Sequence, residues 1–472
     1  MNKIFSKTLI LSFSLLLGLF AFEDVFTSRL NFSKIGNSKN NSYYLTGDPA
    51  SFQFDGNLEM ISTGFNYSDK AFKRTYDPTV IQNINASYYT LRQIDNKSFF
   101  AAGLAYEDLR LKDMWGSREK DFYDDYFSTA DSSAGKTAYY GPRLQFMYNA
   151  ELSKDLFFGL LIDYGVERGL KDTFPQTITI MRNSSYKMGL DYRKEKFGIG
   201  LHARYYDDQT HYESVKFFVE VEAKTFMGYH VFYNENSSSR SRKKRVRNGL
   251  EAGGHLRVGR VDENVVNIAA SFLHRSSTSE VYTSYSKPRG YWERQGLHIK
   301  TDFSSYSIDK ISLKLYGEYL TYNDWGKSLI SNTLILENKE SYFTAGANIQ
   351  YKPSLINKYW LGGGIGHVAY DYIEYLYPFQ DKRSGIEWNA YAGAEMMFSS
   401  KLNSGIRLHY EKTVPKFYWN TEYFQNIGLG IMLEHLFSFG YIGANFDFIK
   451  QNPSDSEDFN RKYQIILTFR RK

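Results

Sequence analysis

No cysteine occurs among the 472 residues. A disulfide scaffold, a Cys-ligated zinc site, a thiol nucleophile and a lipid-anchored lipoprotein are thereby excluded. Proline is scarce at 9 residues, yet hydrophobic residues make up 42%, so the chain is not a disordered one. Charged residues are 23% and mean hydropathy is −0.48. That rules out a helical membrane transporter, whose spans need runs of about 20 apolar residues. The 9 histidines show no His-Glu-x-x-His spacing, so neither a metal nor any other cofactor is expected. The net charge of +6 is mild and points away from nucleic acid. Aromatic residues, in contrast, reach 17%, with 40 Tyr, 36 Phe and 6 Trp. Length alone allows two to four soluble domains at roughly 100–200 residues each, but this composition argues against them.

The amino terminus reads as an address. Lys3 and Lys7 precede an apolar run over 9–22, which Glu23 and Asp24 end. A basic n-region before a short h-region is a secretory signal peptide, expected over 1–21 with cleavage after Ala21. Residues 22–55 then form an N-terminal segment, either a short plug or a periplasmic lead-in. A barrel is expected over 56–472.

From Asn57 onward the apolar residues recur with period two. Ile199, Leu201, Ala203 and Tyr205 alternate with Gly200, His202, Arg204 and Tyr206. Leu144, Phe146 and Tyr148 alternate with Arg143, Gln145, Met147 and Asn149. The pattern repeats late in the chain, where Ile406, Leu408 and Tyr410 oppose Arg407, His409 and Glu411. Each segment is about 10 residues long, the length of a tilted strand crossing a bilayer. Short links at 95–97, 151–155, 193–196, 260–263, 352–358 and 399–401 alternate with long polar links at 68–82, 108–138, 168–183, 275–295, 321–340, 371–385 and 412–425. This predicts an all-β fold: a transmembrane antiparallel β-barrel of about 18 strands, within a range of 14–20, with short periplasmic turns and long outer loops. Residues 214–233 add one more hairpin or form a long loop that folds into the barrel. Tyr and Trp girdles at the two interfaces account for the aromatic content.

The candidate lumen-lining residues are Arg143, His202, Arg204, Arg407, His409 and Glu411, all on polar strand faces. Catalysis is not expected of them. The link at 108–138 carries Asp108, Asp113, Glu119, Asp121, Asp124, Asp125 and Asp131. It is expected as a solvated outer loop; the alternatives are an inward fold that constricts a pore, or Ca²⁺ binding through its carboxylates. Arg240, Arg242, Lys243, Lys244, Arg245 and Arg247 are expected as a charged outer loop, solvated or paired with lipopolysaccharide phosphates. Gly362-Gly363-Gly364-Ile365-Gly366 fits neither a phosphate loop nor a dinucleotide fingerprint; in a barrel strand it clears space for neighbouring rings.

Gly47-Asp48-Pro49-Ala50, Asp125-Tyr126-Phe127-Ser128 with Ala130-Asp131-Ser132-Ser133, and Gly169-Leu170-Lys171-Asp172 together resemble an uncharacterised Bacteroidota-type outer-membrane barrel family. The Asx-Pro-Ala start is also similar to that of the long-chain fatty-acid outer-membrane transporter family, though without its apolar plug. The first resemblance implies a barrel with no assigned activity, so no functional residue carries over from it. The terminal alternation of Tyr463, Ile465, Leu467 and Phe469 resembles the sorting signal read by barrel-assembly machinery, departing from it at Gln464 and in the basic end from Arg470 to Lys472.

The expected location is the bacterial outer membrane. The expected partners are outer-membrane lipid, lipopolysaccharide and the assembly machinery. The expected role is a passive channel or small-molecule transporter with a partly occluded polar lumen. The alternatives are a structural or partner subunit of a secretion or surface-assembly complex, and an outer-membrane lipid hydrolase, which needs a Ser–His pair on the outer wall.

Overall fold

Apolar side chains on alternate positions give each strand one face suited to lipid, and a strand in lipid must pair along both edges. A closed sheet satisfies both demands. The computed structural model describes residues 47–52, 56–117, 119–173, 176–214, 221–237, 242–260, 263–282, 286–308, 310–354, 357–416 and 419–471. The expected signal peptide over 1–21 and most of the 22–55 segment lie outside the described residues.

The first seven strands are β1 (Leu58–Lys70), β2 (Val80–Asp95), β3 (Ser98–Ser117), β4 (Thr129–Ser153), β5 (Leu156–Lys171), β6 (Thr177–Lys194) and β7 (Phe197–Ser214). A hairpin, β8 (Val221–Met227) and β9 (Val231–Ser237), follows. Then come β10 (Arg242–Gly259), β11 (Asn264–Tyr282), β12 (Ser286–Ile308), β13 (Ile311–Ser328), β14 (Thr333–Ser354) and β15 (Asn357–Glu374). The last five are β16 (Phe379–Met397), β17 (Leu402–Thr413), β18 (Phe424–Phe437), β19 (Gly440–Pro453) and β20 (Asn460–Arg471).

Neighbours in the wall pair antiparallel, and β1 pairs with β20 as well as β2, with Glu59 opposite Arg471 and Lys70 opposite Asn460. The sheet is therefore closed. β7 pairs directly with β10, from Phe197 opposite Val258 to Glu213 opposite Arg242. This leaves the β8–β9 hairpin out of the wall, which has 18 strands. The described part of 214–233 therefore adds no hairpin to the wall and folds in over the barrel; 215–220 lie outside the described residues.

The two faces are sharply distinguished. On β7, Leu201 is 67% exposed while His202 beside it is 6% exposed. Leu250, Leu361, Ile365, Leu408 and Leu467 carry the same outward apolar band around the wall.

One barrel end is closed by tight turns, with Asp95 opposite Ser98, Lys194 opposite Phe197, and Phe437 opposite Gly440. At the other end the strands run on past the apolar band. β4 has 25 residues and β12 has 23, against about 10 for a bilayer crossing. The links expected at 168–183, 275–295, 321–340 and 371–385 are thus mostly strand, with connections of a few residues. Beyond the lipid the outward face of a strand meets water instead. The ladder continues there while the apolar alternation stops.

Candidate functional site

Both ends of the barrel are closed by segments of the chain itself. The outer closure is the stretch 119–128, expected from the sequence as a solvated loop. Its residues alternate too poorly for a strand but turn readily. Asp121 caps a one-turn 3-10 helix, Phe122–Asp124, by accepting from Tyr123 N at 2.9 Å. The Asp125 carboxylate accepts from Phe127 N at 2.9 Å. Such Asx turns fold the segment back on itself and aim its carboxylates at β10.

There the expected basic loop turns out to be strand from Arg242 onward, Arg240 lying outside the described residues, and period two sorts its cations. Lys243, Arg245 and Arg247 are buried on the inward face. Arg242, outside, pairs with Glu213 at 3.1 Å. Glu119 takes Arg245 at 2.6 Å and Lys243 at 3.1 Å, and its Oε1 also accepts from Thr129 N at 3.0 Å. Arg247 pairs with Asp124 and, at 3.1 Å, with Asp125. Burial alone would raise the Asp125 carboxyl; Arg247, Arg245 and Lys243 hold it well below the usual carboxylate range. Tyr126 donates to Asp324 at 2.5 Å, and Arg294 grips Asp324 by two 2.7 Å bonds.

The β8–β9 hairpin lies over this loop. Phe226 N and Gly228 N donate to Ser128 O and Tyr126 O, each at 2.8 Å. The hairpin leaves the wall between β7 and β10, yet Tyr229 N at its tip donates to Glu374 of β15 at 2.6 Å. It therefore crosses the mouth. Tyr126, Phe127, Met227, Trp292, Ile335, Leu336 and Tyr372 form a buried apolar cluster beneath it.

The inner closure is the Gly47-Asp48-Pro49-Ala50 motif and the two residues after it, near the tight-turn end. Asp48 caps the short helix Pro49–Ser51, accepting from Ala50 N at 2.9 Å. Asn149 of β4 donates to Pro49 O at 2.7 Å and Ala50 O at 2.9 Å, and Arg193 of β6 also reaches Ala50 O. Phe52 enters a cluster with Leu91, Phe99, Ala101 and Met147. Two glycines make room for the segment. A Cβ on Gly159 would lie 2.1 Å from Ala50 N, and one on Gly189 would lie 1.8 Å from Asp48 Oδ1. His255 stands 3.8 Å from Asp48 and 3.2 Å from Asp191. Burial pushes the Asp48 carboxyl up to about 6, against the opposing pull of Ala50 N–H, His255 and Lys187.

Between the closures, several inward rings lie flat on the wall. The Tyr391 hydroxyl sits 2.3 Å from where a Cβ on Gly362 would be, and Tyr316 covers Gly346 and Gly364 in the same way. Tyr322 covers Gly296, His255 covers Gly200 and His409 covers Gly428. Two glycines of the run at 362–366, Gly362 and Gly364, thus make room for rings as the sequence suggests. Solvent reaches inward charges here: the His298 and Lys300 side chains are 30% and 32% exposed.

The six residues singled out in the sequence all lie opposite the exposed apolar face. Arg143 makes two bonds to Asp163, at 2.7 and 2.6 Å. His202 stands 3.5 Å from Glu251, and Arg204 donates to Ser185 Oγ at 2.6 Å. Arg407 pairs with Asp447, and Glu411 accepts from Asn426 at 3.1 Å. They are not brought together: Arg143 stands on β4, His202 and Arg204 on β7, separated from it in the wall by β5 and β6, and Arg407, His409 and Glu411 on β17. Sequence reasoning named Glu119 and the run that holds the Lys243–Arg245–Arg247 ladder but did not pair them, and it missed Gly159 and Gly189. The ladder had a signal, its period two running unbroken into β10; the glycines had none. On the outer wall His274 lies 3.0 Å from Glu293. Among the described residues no serine hydroxyl is hydrogen-bonded to a histidine ring.

An apolar outer wall, a polar inner wall and complete strand closure define a transmembrane barrel of the outer-membrane type. The chain belongs to a family of unknown function, DUF6850, which it matches over residues 49–469. The resemblance read from the sequence, to a barrel family without assigned activity, therefore holds. No curated protein sequence matches the chain. Among solved structures it is similar to the siderophore receptor PiuA from Acinetobacter baumannii, at 7% identity and a TM-score of 0.47, covering 88% of this chain and 82% of that one. It is also similar to the P. putida toluene transporter TodX, at 11% identity and a TM-score of 0.33, covering 91% and 93%. A Pseudomonas aeruginosa FadL homologue matches at 9% identity and a TM-score of 0.35, covering 90% and 92%. At such identities and scores, the cargoes of those proteins say nothing about the cargo of this one.

Proposed function

We propose that this protein carries a small polar solute across a bacterial outer membrane, through a lumen closed at rest by two segments of its own chain. The observation that carries this reading is how the closures are attached. Ion pairs, hydrogen bonds and side-chain packing hold residues 119–128 and 47–52 to the inward wall; neither is a wall strand. Each can leave without breaking the barrel ladder. The rings laid flat on glycines support the same reading, because they keep bulk out of the lumen. In this reading Arg143, His202, Arg204, Arg407, His409 and Glu411 line the path and set its charge preference. Lipid and lipopolysaccharide surround the outward band, and assembly machinery inserts the barrel.

Swelling of liposomes carrying the protein in graded sugars and amino acids tests this. Removal of residues 119–128 is expected to raise the swelling rate for solutes that pass the intact protein slowly. Equal rates with and without the segment, in barrels shown to be folded by heat-modifiable migration, would contradict it. A barrel serving only as a partner subunit predicts that equality.

A further inference from the structure

The outer mouth holds more inward cations than its wall strands balance. Lys243, Arg245 and Arg247 on β10, Arg275 on β11 and Arg294 on β12 share the inward face of three neighbouring strands. Arg275 lies directly opposite Arg294 in the ladder, an arrangement of like charges that destabilises a sheet unless anions offset it. Wall carboxylates answer two of the five. Asp208 lies 2.9 Å from Arg275, and Asp324 lies 2.7 Å from Arg294. The other three are answered from the loop, by Glu119, Asp124 and Asp125.

A buried cation stripped of its partner is costly. If the loop leaves, something anionic must replace it or water must flood the site. Alternate residues on a strand stand about 6.7 Å apart, so the three cations present a line of donors about 13 Å long. Two of them are guanidinium forks suited to carboxylate or phosphate oxygens. Water alone would leave this line uncompensated beside Arg275 and Arg294.

We infer that Lys243, Arg245 and Arg247 form a binding site for a solute bearing two or more carboxylate or phosphate groups, which Glu119, Asp124 and Asp125 occupy in its absence. The inference rests on the transport reading only in requiring that the loop can leave. It adds the solute class: a polyanion rather than a neutral sugar or a cation. The loop acts as a competitor in cis, so apparent affinity in the resting protein is reduced by the fraction of time the site is vacant.

Calorimetric titration of the full barrel in detergent tests it, with tripolyphosphate as the probe and maltotriose as the neutral control. The variant Glu119→Gln/Asp124→Asn/Asp125→Asn removes the competitor. It is expected to bind tripolyphosphate about tenfold more tightly than the parent, the effect of losing a competing interaction of charge-assisted strength. Adding Arg245→Gln and Arg247→Gln is expected to abolish the gain, and maltotriose is expected to show none. A folded triple variant that binds no more tightly than the parent would overturn the inference, as would a gain that survives loss of the two arginines. Should the triple variant not fold, Asp124→Asn alone serves, since half of that side chain is exposed. A gain of about threefold is then expected, and unchanged affinity overturns the site. Binding without solute flux would sink the transport reading and leave this one standing; flux without binding would do the reverse.

Discussion

At Gly189 one hydrogen atom decides whether the inner closure exists. The Asp48 carboxylate fills the space a side chain would take, so Gly189→Val is expected to expel residues 47–52 while leaving the ladder of β6 intact. Hydrogen exchange of the amides of Ala50 and Ser51 checks this: protection should fall in the variant, and unchanged protection would contradict the packing. Asp48 itself supplies a pH dependence. Its docked carboxyl is raised to about 6, from about 3.9 when free. A raised acid docks best when protonated, so its contribution is full below about 3.9 and is lost as pH rises through about 6. The same two amides should therefore be better protected at pH 5 than at pH 7.5, after correction for intrinsic rates. Asp48→Asn should flatten that component. Glycines 159 and 189 were not legible as docking sites in the sequence. A glycine shows that a side chain is missing and does not show which segment fills the space.

At the scale of elements, the loop 119–128 and strand β10 act as one unit. Removing one partner from a buried ion pair typically costs about 3–5 kcal/mol. Arg245→Ala would leave Glu119 buried with a weaker set of partners, so the loop should open far more often. Lys120 sits in this loop, held 2.6 Å from Glu167. Trypsin should cut after Lys120 much faster in Arg245→Ala than in the parent, and Arg245→Lys should lie between the two. Equal cleavage rates would mean that the ladder does not hold the loop. The strands inside the lipid were legible one by one, because lipid on one face imposes a strict period of two. Their outer extensions were not, because the outward face there meets water and the inward face meets the loop and hairpin, and neither demands an apolar series. The infolding of the loop stood in the sequence only as an alternative to a solvated loop. It depends on Arg245 and Arg247 standing across the mouth from Glu119 and Asp125, a relation between segments more than 100 residues apart in the chain.

At the scale of the molecule, closure of β1 on β20 and the continuous outward band make the barrel a wall that needs lipid outside and tolerates water inside. The strand count was legible because turn lengths alternate around the ring. The use of the lumen was not, because inward residues from distant strands meet only after closure. The central claim is that the wall encloses a path and that residues 47–52 and 119–128 stop it. Single-channel recording in a planar bilayer tests this most directly, comparing the parent with a variant lacking residues 119–128 and carrying Gly189→Val. The parent should be silent or open only in brief events. The variant should show long-lived ohmic steps. A variant that is folded by heat-modifiable migration and stays silent would contradict the account.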